Sequence, residues 1–271
     1  MPKLAVLGQP ISHSRSPAIH NAALEALGLA GEWSYEAIEV APEAFDARVR
    51  AMAGEGYAGA NVTIPHKLAA LRVADTASDA AGEIGAANTL SFGEGAIAAD
   101  NTDATGFLEA LPVAPGRARA LVLGAGGAAR AVIWALLREG AEVFVWNRTP
   151  VRAERLATEL GATPVAPEGQ LPAARYDLIV NATSVGLAGT ADAGSADLKA
   201  LHLDADALNE THTVVDLVYG PAETALAAAA RQRGAHVVDG LDVLVHQGAA
   251  SLRLWTGLEP PIETMKEAAR R

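Results

Sequence analysis

The chain has 271 residues, half of them hydrophobic and 20% charged, enough for one large or two modest domains and too apolar for disorder. Its net charge of −11, from 21 basic and 32 acidic residues, disfavours nucleic acid and anionic membranes as partners. With no cysteine, disulfides, iron–sulfur clusters and thiolate zinc sites are excluded. The opening Met1-Pro2-Lys3-Leu4-Ala5-Val6-Leu7-Gly8 is too briefly apolar for a signal peptide, and no apolar run reaches bilayer length, so a cytoplasmic setting is expected.

Strand-like and helix-like patterns alternate along the chain. Lys3 to Leu7 reads as a strand, Ser16 to Leu27 as a helix opened by Pro17, Trp33 to Val40 as a strand and Pro42 to Ala53 as a helix. Ala58 to Ile64 is a third strand, followed by a helix from Pro65 to Ala74. Asn88 to Phe92 and Ala96 to Ala99 form a hairpin around Gly93-Glu94-Gly95, and Ala104 to Leu111 a helix. After the break at Pro112 to Gly116, Arg119 to Leu123 is a strand, Gly126 to Arg138 a helix and Glu142 to Trp146 a strand. Asp177 to Asn181 and Thr213 to Leu217 are further strands, and Val185 to His212 reads mostly as loop. Ala222 to Arg233, Asp242 to Trp255 and Pro261 to Ala269 are helical. Such alternation predicts an α/β architecture with mainly parallel sheets.

Asn61-Val62-Thr63-Ile64-Pro65-His66-Lys67 joins a strand to a helix, with Pro65 expected at the first helical position. A lysine at such a junction is open to partial desolvation, which makes its proton mobile enough for acid/base work; the plainer reading of Lys67 is an exposed surface lysine. Gly8 to Pro17 is rich in hydroxyls and follows the first strand, where open α/β sheets bind ligands. Asn88, Asp103 and Gln247 add amides and a carboxylate. Taken singly, Asp103 and Ser16 also read as helix N-caps and Asn88 as a turn residue. Together the set suits a small polyhydroxylated acid.

Gly124-Ala125-Gly126-Gly127-Ala128-Ala129-Arg130, after one predicted strand and opening a helix, is a G-x-G-x-x-A dinucleotide fingerprint in its required setting. Gly124 permits the tight turn, Gly126 lets backbone amides approach a pyrophosphate, and the helix N-terminus supplies positive charge. At the end of the next strand, Asn147-Arg148-Thr149 stands where an NAD site carries an acid, with Arg152 a turn further on. Two guanidiniums and a hydroxyl suit a 2′-phosphate, so NADP is expected; the alternative is that the arginines pair with Glu154 or solvent.

With these segments in view, the chain resembles the shikimate 5-dehydrogenase family, the shikimate/quinate dehydrogenases, nearly end to end. The residues that carry the resemblance are Ser14-Arg15-Ser16-Pro17 with His20-Asn21, Asn61 to Lys67, Gly85 to Thr89, Asp100 to Asp103 and Gly124 to Arg130. Asn147 to Thr149, Asn181 to Gly186, Asp216-Leu217-Val218-Tyr219 and Gln247 continue it. The resemblance implies reversible NADP-linked reduction of 3-dehydroshikimate to shikimate, in aromatic amino acid biosynthesis. It implies a discontinuous substrate-binding domain, residues 1–103 plus 242–271, and a Rossmann domain, residues 104–241, with the active cleft between them. Ser14 and Ser16 would bind the substrate carboxylate. Thr63, Lys67, Asn88, Asp103 and Gln247 would contact ring hydroxyls, with Tyr219 close by, and Lys67 and Asp103 would be catalytic. Gly124, Ala125, Gly126, Gly127, Ala128, Asn147, Arg148, Thr149 and Arg152 would hold NADP, Leu217 and Gly240 would border the nicotinamide, and Asp79 matches a cofactor-contact position.

The chain departs from the family pattern at Leu217 for Met, Ala87 for Val and Asp242 for Gly, the last bearing on nicotinamide seating. No metal site is expected, since no histidine pair has helical spacing and a carboxylate partner. The expected partner is the small-molecule substrate, with a homodimer left open. Two alternatives share the motifs: a quinate/shikimate dehydrogenase of broader substrate or cofactor use, and a non-catalytic NADP-binding sensor on the same scaffold. A sensor could lose the lysine and aspartate, and here both are present.

Overall fold

The computed structural model describes residues 1–187, 195–220 and 222–271. The chain divides into two compact units, Met1–Glu109 with Leu244–Arg271, and Ala110–Val243. Each is a six-stranded sheet with helices.

The first unit runs β1 (Lys3–Gly8), α1 (Ser16–Ala26), β2 (Ser34–Glu39), α2 (Phe45–Gly54), β3 (Tyr57–Val62), α3 (Lys67–Val73), β4 (Thr76–Ala77), α4 (Asp79–Ile84), β5 (Thr89–Gly93), β6 (Ala96–Asp100) and α5 (Thr102–Ala110). Sheet order is β2-β1-β3-β5-β6-β4. The pairs β1–β2, β1–β3 and β4–β6 are parallel, and β5 runs antiparallel to both β3 and β6. Central β1 is buried over Leu4–Gly8, as a strand covered on both faces must be. Leu7, Phe45, Val49, Met52, Val62, Leu90 and Ile97 form part of one core cluster.

The expected strand over Ala58–Ile64 and helix from Pro65 need correction. The strand ends at Val62, and α3 starts only at Lys67. Between them the Thr63 N–H donates to Leu7 O (2.9 Å) and the His66 N–H donates to Thr63 O (2.9 Å), closing a turn that contains Pro65 and leaves Ile64 and Pro65 exposed. The ring of His66 then fixes the helix entry, with Nε2 2.7 Å from Val40 O and the ring stacked on Phe45. A carbonyl partner requires Nε2 to carry the proton.

The second unit continues with β7 (Arg119–Leu123), α6 (Gly127–Arg138), β8 (Glu142–Trp146), α7 (Pro150–Leu160), β9 (Thr163–Pro164), β10 (Leu178–Asn181), α8 (Ser195–Ala200), β11 (Thr213–Asp216), α9 (Ala225–Gln232) and β12 (His236–Asp239). All pairings are parallel, in the order β12-β11-β10-β7-β8-β9. The order reverses between β7 and β10, the kind of switch point where loops part and ligands bind. Leu121, Leu123, Trp146, Ile179, Val214 and Leu226 belong to its core.

The stretch Val185–His212, expected mostly as loop, contains α8 and a short helical turn at Ala205–Ala207; residues 188–194 of it lie outside the described residues. Helices α4 and α7 and strands β4, β9 and β12 are additional to the expected elements. Finally α10 (Gly240–Thr256) begins in the second unit and continues in the first, followed by α11 (Ile262–Arg270). Among the described residues no helix is long and apolar enough to cross a membrane.

Candidate functional site

In the first unit Lys67, the first residue of α3, places Nζ 2.6 Å from Oδ2 of Asp103, and both side chains are largely withdrawn from solvent, at 12% and 15% exposed. This is a charge-assisted contact of the strong kind, and it removes the reading of Lys67 as a free surface lysine. Nor is Asp103 the cap of α5. Asn101 does that, its Oδ1 accepting from the backbone N–H of Asp103 (3.1 Å) and Ala104 (3.4 Å) while its own amide donates to Ala86 O (2.9 Å). Capping by Asn101 leaves the Asp103 carboxylate to face Lys67.

Asn88 is buried at the centre of this cluster. Its Nδ2 lies 2.9 Å from Asp103 Oδ1, 3.0 Å from Thr102 Oγ1 and 3.0 Å from Gln247 Oε1, while its Oδ1 accepts from the Thr102 N–H at 2.7 Å. Gln247 on α10 is oriented by donating Nε2 to Leu244 O (2.8 Å), which turns its Oε1 toward Asn88. Asp103 thus accepts from two donors at once, and Lys67, Asp103, Asn88 and Gln247 are brought together by direct hydrogen bonds. Behind them Asn61 accepts from the Tyr35 hydroxyl (2.8 Å) and donates to Asn88 O (3.3 Å), so it supports the cluster from inside the sheet.

The serines lie in the same unit without a hydrogen bond to that cluster. Ser14 Oγ accepts from the Ser16 N–H (3.3 Å), and Ser16 is buried as the first residue of α1, whose cap position is Arg15. The Ser16 carbonyl is held by Nδ1 of the buried His20 (3.0 Å), with Nδ1 as the protonated nitrogen. Burial lowers the His20 pKa to about 4, outweighing the carbonyls of Ser16 and Gly248 beside the ring, so the imidazole is neutral at pH 7. Thr63 is half-buried and begins the turn into α3. Asp79 is exposed at the start of α4, in the first unit.

In the second unit Gly124 follows β7 with φ 116°, and a Cβ there would lie 2.7 Å from Ala182 O after β10. Only glycine fits both demands. The Gly124 N–H donates to Trp146 O (2.7 Å), and Gly126 stands exposed at the cap of α6, with Ala125, Gly127 and Ala128 half-buried around it. Asn147, Arg148 and Thr149 follow β8, and Arg152 lies in the first turn of α7. Arg148, Thr149 and Arg152 are exposed, and among the described residues neither arginine pairs with Glu154 or any other acid. Arg130 is committed instead to Glu159 (2.6 Å), which also receives Arg155 (2.7 Å) and ties α6 to α7. Leu217 and Tyr219 are half-buried after β11, and Gly240 packs against the backbone of Asp216 and Leu217.

Residues 6–90 match the family model for the shikimate dehydrogenase substrate binding domain, residues 112–188 that for shikimate / quinate 5-dehydrogenase, and residues 240–270 that for the shikimate 5′-dehydrogenase C-terminal domain. The shikimate dehydrogenase (NADP(+)) of one Thermus thermophilus strain is 48% identical to this chain over 100% of it and 98% of that protein. The chain belongs to the shikimate dehydrogenase family. Among solved structures, the shikimate 5-dehydrogenase of another Thermus thermophilus strain, in complex with NADP(H) and shikimate, is 47% identical, covers 100% of this chain and 99% of that one, and has a TM-score of 0.88. The ligand-free 5-ketofructose reductase of a Gluconobacter strain has a TM-score of 0.86 at 28% identity, covering 99% of this chain and 97% of that one. The same architecture therefore also serves a keto-sugar, so substrate choice rests on individual side chains.

The residues whose role the sequence did not disclose are Asn101 and Thr102. An Asn directly ahead of a helix is a capping signal, and it is masked here by Asp100 and Asp103 on either side.

Proposed function

We propose that this protein catalyses the NADP-linked, reversible reduction of 3-dehydroshikimate to shikimate, with Lys67 and Asp103 as its catalytic pair. The observation that carries the reading is the half-buried contact of Lys67 with Asp103, held in place by Asn88 and Gln247. Ser14 and Ser16 supply hydroxyls for the substrate carboxylate, and Thr63, Asn88, Gln247 and Tyr219 surround its ring hydroxyls. The cofactor fits the residues present. Gly126 has open space where a Cβ would stand, and Arg148, Arg152 and Thr149, exposed and without a side-chain partner among the described residues, offer donors suited to a 2′-phosphate. The remaining cofactor contacts are assigned to Asp79, Gly124, Ala125, Gly127, Ala128, Asn147, Leu217 and Gly240.

When bound, the nicotinamide supplies or accepts a hydride. In the reducing direction the Lys67 ammonium would give one proton to the ketone oxygen as it becomes the hydroxyl, and Lys67 would then be reprotonated from solvent. In the oxidising direction neutral Lys67 takes that proton back. Asp103 holds Lys67 in line and accepts from a neighbouring hydroxyl, and fixed donors of this kind need no reorganisation as charge develops on the oxygen. The work is expected in the cytoplasm, and light scattering tests whether the protein forms a homodimer. The decisive assay is kcat/KM for shikimate and quinate with NADP and NAD. Shikimate with NADP should exceed every other pairing by at least about tenfold; equal use of quinate would replace this reading by the broader dehydrogenase.

A further inference from the structure

Asp216 is a buried carboxylate of the second unit that the catalytic scheme does not use. It ends β11 and is 2% exposed. Its Oδ1 accepts from Asn181 Nδ2 at 2.9 Å and from the Val218 N–H at 3.1 Å, and its Oδ2 accepts from the Thr224 hydroxyl at 2.5 Å. These partners belong to three segments: the end of β10, the loop after β11, and the residue that caps α9. Thr224 Oγ1 also accepts from the Ala227 N–H (3.1 Å), so the helix start hangs on the same carboxylate.

The tie reaches the residues assigned to the cofactor. Asn181 orders the loop beyond it through Thr183, whose N–H (3.1 Å) and hydroxyl (2.7 Å) both donate to Asn181 Oδ1. Ala182, between them, is the residue against which Gly124 packs. The Val218 contact fixes the peptide that follows Leu217. A Cβ on Gly240 would lie 2.7 Å from the carbonyl oxygen of Asp216 and 2.9 Å from that of Leu217, so these strand ends meet without slack. Placing a carboxylate here is costly. Burial lifts its pKa from 3.8 to about 6, against the three hydrogen bonds it accepts and helped by the charge of Asp239. A fold needing only a spacer would be better served by an apolar side chain.

We infer that Asp216 is a positioning residue for the nicotinamide end of the cofactor, holding Leu217–Val218 in register with the loop after β10. The inference rests on the NADP-linked reading above and concerns which part of the cofactor the network serves.

The test uses Asp216→Asn and Thr224→Val in the full chain, with calorimetric titration of NADP and of 2′,5′-ADP, a fragment that lacks the nicotinamide, and with steady-state kinetics. Asp216→Asn should weaken NADP binding about tenfold and raise KM for NADP in step, while 2′,5′-ADP affinity and KM for shikimate stay within about twofold. Thr224→Val, which keeps the carboxylate and removes one donor, should show about a threefold loss for NADP alone. Equal weakening of NADP and 2′,5′-ADP, or an unchanged NADP affinity beside a lowered Tm, overturns the inference and leaves Asp216 a purely structural group. Should Asp216→Asn not fold, an NADP affinity in Thr224→Val equal to wild type overturns it alone. Wild-type protein that binds NADP without oxidising shikimate would sink the proposed reaction and leave the binding comparison intact.

Discussion

Replacing Asp103 by Asn probes the pair on which the proposed chemistry depends. The carboxylate receives two donors, Lys67 Nζ at 2.6 Å on one oxygen and Asn88 Nδ2 at 2.9 Å on the other. An amide has one oxygen, so in either orientation its NH2 faces a donor: Lys67 if Asn88 is satisfied, Asn88 if Lys67 is. A charge-assisted hydrogen bond in a mostly desolvated setting contributes about 2–3 kcal/mol. If that interaction orients Lys67 in the transition state, the loss corresponds to about 30–150-fold in kcat/KM for shikimate, at about 1.4 kcal/mol per tenfold. The assay is NADPH absorbance with shikimate varied at saturating NADP. The double variant Lys67→Met/Asp103→Asn should lose little more than Lys67→Met alone, because the two groups act as a unit. An Asp103→Asn enzyme within about threefold of wild type would refute the argument.

Arg148→Ala should raise KM for NADP about 10–100-fold and KM for NAD less than about threefold, since a guanidinium–phosphate contact is worth about 1.5–3 kcal/mol and NAD lacks that phosphate; equal changes for both cofactors count against the 2′-phosphate role. Asn101→Ala removes the cap of α5 and leaves Ala86 O without its partner, and urea unfolding should report a loss of about 1–3 kcal/mol; a neutral result would show that another group caps the helix. His20 makes stability acid-sensitive. Its folded pKa of about 4 lies below the unfolded 6.5, so the unfolded chain binds the proton first, and stability falls as pH drops from about 6.5 to about 4, by about 3 kcal/mol in all. Asp216, raised to about 6, acts in the opposite sense over a similar window, so the comparison is made between variants. The deficit of His20→Gln against wild type at pH 7 should shrink by about 3 kcal/mol at pH 4, and a deficit that does not change with pH contradicts the assignment.

What the sequence disclosed, and what it hid, follow from the range of the forces involved. Periodicity and short motifs are local, and they placed β8 at Glu142–Trp146, the hairpin around Gly93–Gly95, and the glycine turn after β7. They overlooked α7 although Pro150 stands at a favoured opening position, because its exposed face of Arg, Glu and Thr dilutes the apolar pattern. The delayed start of α3 was hidden for another reason. The Thr63–His66 turn depends on His66 reaching Val40 and Phe45, partners distant in sequence. The same holds for the site. Lys67, Asn88, Asp103 and Gln247 are separable as polar residues at element ends, but each alone reads equally well as a cap, a turn or a surface charge. Only the fold brings Gln247 within 3.0 Å of Asn88, across 159 positions of chain, and only the fold hands the capping of α5 to Asn101 so that Asp103 can face Lys67.

The central claim is that Lys67 handles the proton of a shikimate dehydrogenase, and kcat of Lys67→Ala for NADP-dependent shikimate oxidation tests it most directly. A lost general acid/base group predicts a fall of about 10²–10⁴-fold in kcat with KM for shikimate changed less than about fivefold. A variant that keeps kcat near wild type while KM rises would contradict it, and would reduce Lys67 to a substrate-binding residue.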